Sequence, residues 1–573
     1  MAETFDTHTD LLVIGSGAGG LTAALTASIE GAEALVLEKS DRYGGTSAMS
    51  GGGIWIPNSH HLARISGAAD SRDEALAYLK AVVGNAVEPA RLATFVDEAP
   101  RMLEYLEAHS RVACEPVPYS DYYPELAGGK GGYRTHQPLP MHARRLGDDF
   151  RRLRGQHPQT LVAGRITMTM MEARAFLTRA PGWRLTAARI ALGYLLDIPG
   201  RLKGKRARRL ALGNALVGRL RWSLLERGVP LWLNTSLEEL IVDGGRVVGA
   251  VVQRDGRQLR IGARRGVVLA CGGFEHNLEL RQRYLPQPTN PEWSASQENN
   301  TGEGLLAAQA IGAGTRLMEH AWWVPAIKIP RWDRPYVLMA ERANPGIVIV
   351  NRKGERFANE AAPYQEAGRA FYDCNRPDAP TIPAWVIFDG NFRSKYVFSP
   401  LIPDPTLQDK MVSRAVKEIL VKAESLEEIA ERTGVDRDTL LETVRRNNEY
   451  ARTGVDPEYH RGESAYERYY GDPRNTPNPC IAPIERPPFY ALPMHPGDIG
   501  TKGGLATDGA ARVLRDSGAA IDGLYAVGNC AASVMGSAYP GAGSTLGPAM
   551  TFAWLAARHA LAAQETPIEE QAA

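Results

Sequence analysis

The stretch "DLLVIGSGAGG", Asp10 to Gly20, constrains this chain more than any other. A short apolar run leads straight into Gly15-x-Gly17-x-x-Gly20. "LTAALTASIEG" continues at helical period, and "ALVLEKS" is a second apolar run ending on Glu38. That order predicts strand, tight turn, helix and strand, the opening of a Rossmann-like unit. Gly15 permits the turn, Gly17 lets a pyrophosphate approach the backbone, and Gly20 lets helix pack on strand, while the helix N-terminus faces the phosphates. Glu38, 18 residues past Gly20, is placed to accept from ribose hydroxyls. A lone G-x-G-x-x-G is weak, but with strand, helix and acid at these offsets it reads as a dinucleotide site that also includes Gly19 and Lys39.

The next segment separates FAD from NAD. A plain NAD fold would continue with another strand–helix unit. Here "DRYGGTSAMSGGGIW" places Gly44, Gly45, Thr46, Ser47, Gly52 and Gly53 in one loop, whose amides and hydroxyls can lie along a flavin. Glycine is about a tenth of the chain (58 of 573), which suits backbone that approaches a cofactor. After a hairpin-like "LIVDGGRVVGAVV", the apolar strand "GVVLACGGFEHN" carries Ala270 and Gly272, and "IDGLYAVGNCAAS" returns a last strand ending on Gly528-Asn529. This scatter resembles the FAD-binding domain of the fumarate reductase and succinate dehydrogenase flavoprotein superfamily. The resemblance places Asn529 against the ribityl chain and Thr545 and Leu546 beside the flavin. Pro548 is expected to start a helix whose positive end faces the flavin.

A chain of 573 residues is too long for one core. We expect an α/β protein, with a discontinuous Rossmann-like FAD-binding domain at 1–318 and 500–573 and an inserted α+β catalytic domain at 319–499. Net charge is +1, so nothing global points to nucleic acid. The five cysteines lie far apart without a C-x-x-C pair, suggesting neither a disulfide framework nor a zinc site. No metal site is expected. "MAETFDTHTD" has no signal region and no apolar run would span a membrane, so a cytoplasmic protein is expected.

Near the end, "SAYPGAGSTLGPAM" sets Tyr539 and Gly543 on either side of a Pro-Gly turn. Such a turn can aim a hydroxyl and an amide at one oxygen, or it can simply precede a helix. Fumarate reductases of the superfamily hold dicarboxylates with arginine and histidine. This chain has Ala538-Tyr539-Pro540-Gly541 at the first place and Gly500-Thr501-Lys502 where the histidine would be, which argues against a dicarboxylate.

The motifs present are similar to those of the 3-ketosteroid Δ1-dehydrogenase family over nearly the whole length: "VLEKSDRYGGTSAMSGGGIWIP", "SDYYPE", "GERFANEAAPYQEAGRA", "TKGGLATD", "DGLYAVGN" and "YPGAGSTLGPAM". The resemblance implies that Tyr539 and Gly543 bind the C3 carbonyl oxygen, that Tyr364 takes the C2 proton, and that Tyr122 supports it. C1 then passes hydride to flavin N5. Tyrosine is a poor base at its usual pKa of about 10, so Tyr364 needs a neighbour such as Tyr122, a lowered pKa, or both. Tyr469, Tyr470, Trp322 and Trp323 are pocket or core residues, and Arg356 is structural. Alternatives are a 3-ketosteroid 4-dehydrogenase or a reductase of an unsaturated acid. A 3-ketosteroid substrate implies an external electron acceptor, a quinone or similar.

Residues 165–221 hold 13 Arg and Lys against Glu172 and Asp197, interleaved with apolar and aromatic residues. A basic amphipathic segment of this kind reads as a surface lying on an anionic membrane, or else as a solvated helical brace. The C-terminal "ETPIEEQAA" reads as a loose tail.

Overall fold

A computed structural model describes residues 4–162, 164–177, 182–204, 206–404 and 407–562. The tail from 563 and parts of the basic segment lie outside the described residues. In chain order the framing elements are β1 (Thr7–Ile14), α1 (Ala18–Ile29), β2 (Ala34–Leu37), α2 (Pro89–His109), β3 (Thr235–Asp243), β4 (Arg246–Arg254), β5 (Arg257–Leu269), β6 (Ala321–Ile327), β7 (Ile347–Val350), α3 (Tyr364–Asp373), β8 (Ala384–Phe388), β9 (Phe489–Thr501), β10 (Ala520–Ala526) and α4 (Leu546–Ala562).

The first eight-stranded sheet is parallel where the cofactor elements meet. β2 and β5 flank β1, and β10 joins β5, all in the same direction. β3 and β4 form an antiparallel hairpin turned at Gly244-Gly245, and β4 pairs with the first half of β5. Thus β5 is antiparallel to the hairpin at one end and parallel to β1 and β10 at the other. β1 and β2 are apolar runs because both sheet faces are covered: Leu11, Leu12, Val13, Val36 and Leu37 are fully buried.

The turn from β1 to α1 depends on glycine for two separate reasons. Gly15 has φ +111°, and a Cβ there would lie 2.3 Å from the Ala270 carbonyl oxygen. A Cβ on Gly20 would lie 2.0 Å from the Gly15 oxygen, so α1 packs onto the turn itself. Leu21 and Leu25 of α1 are fully buried, each contributing about 1.5–3 kcal/mol.

A second, six-stranded sheet is antiparallel throughout. β9 lies between β6 and β8, and β7 follows β8. The helices expected from "SLEEIAERTG" and "DTLLETVRRNNEYART" form at Leu426–Thr433 and Arg437–Thr453. Arg356 is buried between Glu360 and Asp456, at 2.7 Å from each, as a structural charge should be.

Two sequence expectations need correction. α4 starts at Leu546, so Pro548 is its third residue, where its missing N–H still removes no helical bond. The basic segment does not stay exterior to 221. From Leu212 it becomes a buried helix, Leu212–Glu226, with Arg221 bonded to Asp149 at 2.7 Å. The cysteines are all free, but Cys271 and Cys530, remote in sequence, lie with sulfurs 3.9 Å apart.

Candidate active site

A cavity of about 820 Å³ runs from the β1–α1 turn to the tyrosines. Its walls include Gly15, Gly17 and Gly19, then Glu38 and Lys39, then Gly45, Thr46, Ser47, Gly52 and Gly53. Ala270, Gly272, Gly528, Asn529, Thr545 and Leu546 complete that end. Two expected residues stand behind the wall. Gly20 packs on Gly15, and Gly44, with φ +109°, donates its N–H to Ser16 Oγ at 2.9 Å.

The donor set fits a dinucleotide. Gly17 caps α1 without a side chain, and only Ala18 of the opening N–H groups is engaged by a side chain, Ser47 Oγ at 3.0 Å. The first turn of α1 therefore presents N–H groups and positive potential to the cavity. Glu38, at the end of β2, is held by the Ser16 hydroxyl and by the Ser40 N–H at 3.0 Å, so it faces the cavity as an acceptor. Lys39 is paired with Glu303 and donates to Thr301 Oγ1 at 2.9 Å. Asn529 Oδ1 accepts the Trp322 indole N–H at 3.1 Å. FAD bound here would be held by Gly15 to Gly19 and Glu38 at its nucleotide end, and by the loop 44–53 with Asn529 nearer the tyrosines.

At the other end three tyrosines meet. Ring centroids of Tyr122 and Tyr364 are 5.5 Å apart, Tyr364 and Tyr539 5.1 Å, and Tyr122 and Tyr539 5.2 Å. Each is only 4% exposed. Tyr122 comes from a loop, Tyr364 is the first residue of α3 after Pro363, and Tyr539 lies in the loop before α4. Tyr466 packs on Tyr122 at 4.9 Å, and Tyr119, Tyr469 and Tyr470 continue the aromatic wall. Trp322 supports Tyr539 from behind at 4.9 Å, while Trp323 is core against Tyr372.

The loop 539–543 is oriented by its carbonyls. The Pro540 oxygen accepts from Tyr122 N at 2.9 Å and from the Tyr78 hydroxyl at 2.6 Å. Ala542 O accepts from Thr135 Oγ1 at 2.8 Å, and Gly543 O from Trp55 N at 3.1 Å. Thr545 Oγ1 lies 3.4 Å from the Tyr539 hydroxyl oxygen. Gly543 must be glycine: φ is +100°, and a Cβ would lie 2.6 Å from Trp55 N. Tyr539 and Gly543 line the same cavity.

Burial dominates the titration of the cluster. It pushes Tyr122 and Tyr364 well above the usual tyrosine value, and Tyr539 upward against the hydrogen bonds that favour its phenolate. Of the two aids considered for Tyr364, a lowered pKa is not found, and Tyr122 is in place as a ring neighbour at 5.5 Å. The start of α3 adds favourable potential of about 0.3–1 kcal/mol, too little to offset the burial.

Lys502 is fully buried and does not line the cavity. Its Nζ donates to the Gly536 carbonyl at 3.3 Å and to the Ala538 carbonyl, and sits 4.0 Å over the Trp322 ring. Burial holds this ammonium well below the usual lysine value. Nothing in the residues around Lys502 signals this role. Asp121 is the other support without a sequence signal: it accepts from the Trp55 indole and from Arg134, each at 2.8 Å, and fixes the chain at Tyr122.

Comparison with known proteins follows this geometry. The FAD binding domain family matches residues 10–546. The 3-oxosteroid 1-dehydrogenase of Mycobacterium tuberculosis is 43% identical, covering 96% of this chain and 98% of its own length. The 4-oxocyclohexanecarboxylate 2-dehydrogenase of Sinomonas cyclohexanicum is 40% identical, covering 96% and 92%. The crystal structure of 3-ketosteroid delta1-dehydrogenase from Sterolibacterium denitrificans in complex with 1,4-androstadiene-3,17-dione superposes with a TM-score of 0.94, at 48% identity over 97% of this chain and all of that one. The chain belongs to the FAD binding domain family of flavoprotein oxidoreductases and, within it, to the 3-oxosteroid 1-dehydrogenase family.

Proposed function

We propose that this chain dehydrogenates 3-ketosteroids between C1 and C2 with FAD. The observation that carries the reading is that Tyr539 and Gly543, a hydroxyl and an amide donor, line the cavity where the rings of Tyr364 and Tyr122 pack against Tyr539. A C3 carbonyl oxygen placed there accepts from both donors, each worth about 3–4 kcal/mol as negative charge develops on it. The C2–H is thereby acidified, and Tyr364 removes it with the neighbouring Tyr122 hydroxyl available to stabilise the phenolate. FAD supplies the acceptor for the C1 hydride. The aromatic wall excludes water and suits a rigid apolar substrate with a single ketone to recognise.

The two relatives named for their substrates share a ring ketone, so the donor pair would serve either, and the remainder of the cavity decides between them. An external acceptor of quinone type completes the turnover. The distribution of strands supports a division at 318/319, before β6, but not at 499/500: β9 runs to Thr501, which pairs with Ala321, so the second division falls after Thr501.

The helices Trp183–Leu196 and Ile198–Lys203 suit an anionic membrane surface. Leu185, Leu195, Leu196, Ile198 and Leu202 are 61–84% exposed, with Arg184 and Arg189 beside them. They follow the helix Met170–Leu177, whose Ala173 and Arg174 line the cavity, so a membrane-dissolved steroid would meet the pocket directly. No helix among the described residues is long and apolar enough to cross a membrane. We place the protein in the cytoplasm, on the membrane's inner face; failure to sediment with anionic liposomes would remove that placement.

The direct test is anaerobic mixing of the flavin-loaded protein with androst-4-ene-3,17-dione. Bleaching of the flavin band with a 1,4-diene product is expected. Bleaching by 4-oxocyclohexanecarboxylate alone would move the substrate to the smaller ketone. Oxidation of a saturated 3-ketosteroid to the 4-ene would point to the 4-dehydrogenase, and a response only to unsaturated acids in the reducing direction would overturn the reading.

A further inference from the structure

Behind the wall that holds Gly543, the chain leaving the strand Ile54–Trp55 forms a short helix, His60–Arg64, against the last turn of α2. There His60 Nε2 lies 3.0 Å and His61 Nε2 2.9 Å from the same oxygen, Glu107 Oε2. The two imidazole centroids are 4.1 Å apart. The second carboxylate oxygen, Oε1, accepts the Cys114 N–H at 2.8 Å, which turns Oε2 toward the rings. All three ligand atoms lie within 4.8 Å of one another.

We propose that His60, His61 and Glu107 bind a divalent transition metal of the zinc and nickel class, with water in the remaining positions. Metal–ligand bonds of about 2.1 Å put neighbouring donors roughly 3 Å apart at the right angles of a tetragonal nickel site and roughly 3.4 Å apart at the tetrahedral angle of zinc, and both imidazoles lie 2.9–3.0 Å from Oε2. Two imidazoles with one carboxylate favour zinc, nickel or cobalt over magnesium and calcium, which prefer all-oxygen shells. The side chains are 27%, 16% and 16% exposed, so an ion with its waters can reach them. His136, 5.7 Å from His61, is not a fourth ligand, because its nitrogens are engaged with Ser59 Oγ at 2.8 Å and Arg134 O at 3.0 Å.

None of the three donors lines the cavity, so the ion takes no part in the dehydrogenation. It clips the segment after Trp55 to α2, and Trp55 N is the donor that fixes Gly543 O. The simpler arrangement, two histidines each hydrogen-bonded to one carboxylate and no ion, gives the opposite result in the test below.

The experiment uses the flavin-loaded full chain, stripped with a chelator and titrated with Zn²⁺ and, separately, Ni²⁺ by calorimetry and thermal melting. One equivalent per chain and a raised melting temperature are expected. Glu107→Gln keeps an acceptor for Cys114 N and should lose the binding, as should His60→Gln/His61→Gln, with flavin absorbance unchanged as the check on folding. No binding by the parent protein overturns the proposal, and so does equal binding by either variant, which would put the ion elsewhere.

Discussion

Gly15, Gly17 and Gly19 line one end of the cavity from a single turn and helix start, whereas Tyr122, Tyr364 and Tyr539 reach the other end from three segments remote in sequence. The first end is main chain: its donors are N–H groups, and the residue types matter by having no side chain. The second is side chain, and the main chain works only at Gly543. A wall of backbone fails when atoms are added to it. A wall of tyrosines fails when single oxygens are removed, and the fold should not notice. That contrast orders the expected effects.

Gly15→Ala should be the most damaging, because its Cβ would fall 2.3 Å from a carbonyl oxygen at a φ that alanine resists. We expect destabilisation of about 3 kcal/mol or more, and protein recovered without its flavin absorbance. Gly17→Ala sharpens the point: its Cβ meets only Ser47 Oγ at 3.3 Å, so the fold should survive while FAD retention falls. If Gly15→Ala melts like the parent and stays yellow, the backbone account of this end is wrong.

Tyr364→Phe should leave flavin content and melting temperature near the parent values. Turnover of androst-4-ene-3,17-dione should drop about 10²–10⁴-fold, the range for loss of a positioned base. Because burial raises Tyr364, the phenolate fraction grows with pH, so kcat/KM of the parent protein should climb through the alkaline range. A flat profile there would remove Tyr364 as the base. Tyr539→Phe removes one carbonyl donor and leaves the Gly543 N–H in place, so a smaller loss of about 10²–10³-fold is expected, mostly in kcat. Equal losses from both variants would say that the two hydroxyls act as one network.

The same contrast explains what was legible in the sequence. The nucleotide end is written in adjacent residues, since spacing along one strand, turn and helix fixes its geometry; Gly15 to Glu38 could be assigned without a relative. The tyrosines carry no such spacing. Tyr122, Tyr364 and Tyr539 were named through the resemblance, and residue chemistry alone left the Pro-Gly turn open between an oxyanion site and a plain helix entry. Tyr78, Thr135 and Asp121 were not legible, because they act by holding carbonyls or side chains of remote segments. Counting charges over 165–221 overextended the exposed segment, since Arg206 is spent inside the fold on the Leu153 and Arg154 carbonyls and on Asn214.

Lys502 lies between the two kinds of wall and gives the smallest but most discriminating expectation. Its Nζ donates to two carbonyls of the segment that enters Tyr539, and it touches Trp322, which bonds Asn529 on the flavin side. As a positioning residue it should yield a loss of about tenfold in kcat on Lys502→Met, with KM and flavin content little changed. The charge of the buried group has its own signature in stability. Burial depresses the folded pKa, so between that value and the unfolded value of about 10.4 the unfolded chain binds a proton that the folded chain does not. Stability from this group is therefore present above about pH 10.4 and is lost as pH falls, with a slope of about 1.4 kcal/mol per pH unit. Lys502→Met has no such slope, so its unfolding free energy relative to the parent should improve steadily from pH 10 downward. Parallel curves would mean that the two carbonyls and the Trp322 face keep the ammonium charged. Lys502 would then hold the loop before Tyr539 as a cation, and Lys502→Arg should rescue the turnover that Lys502→Met loses.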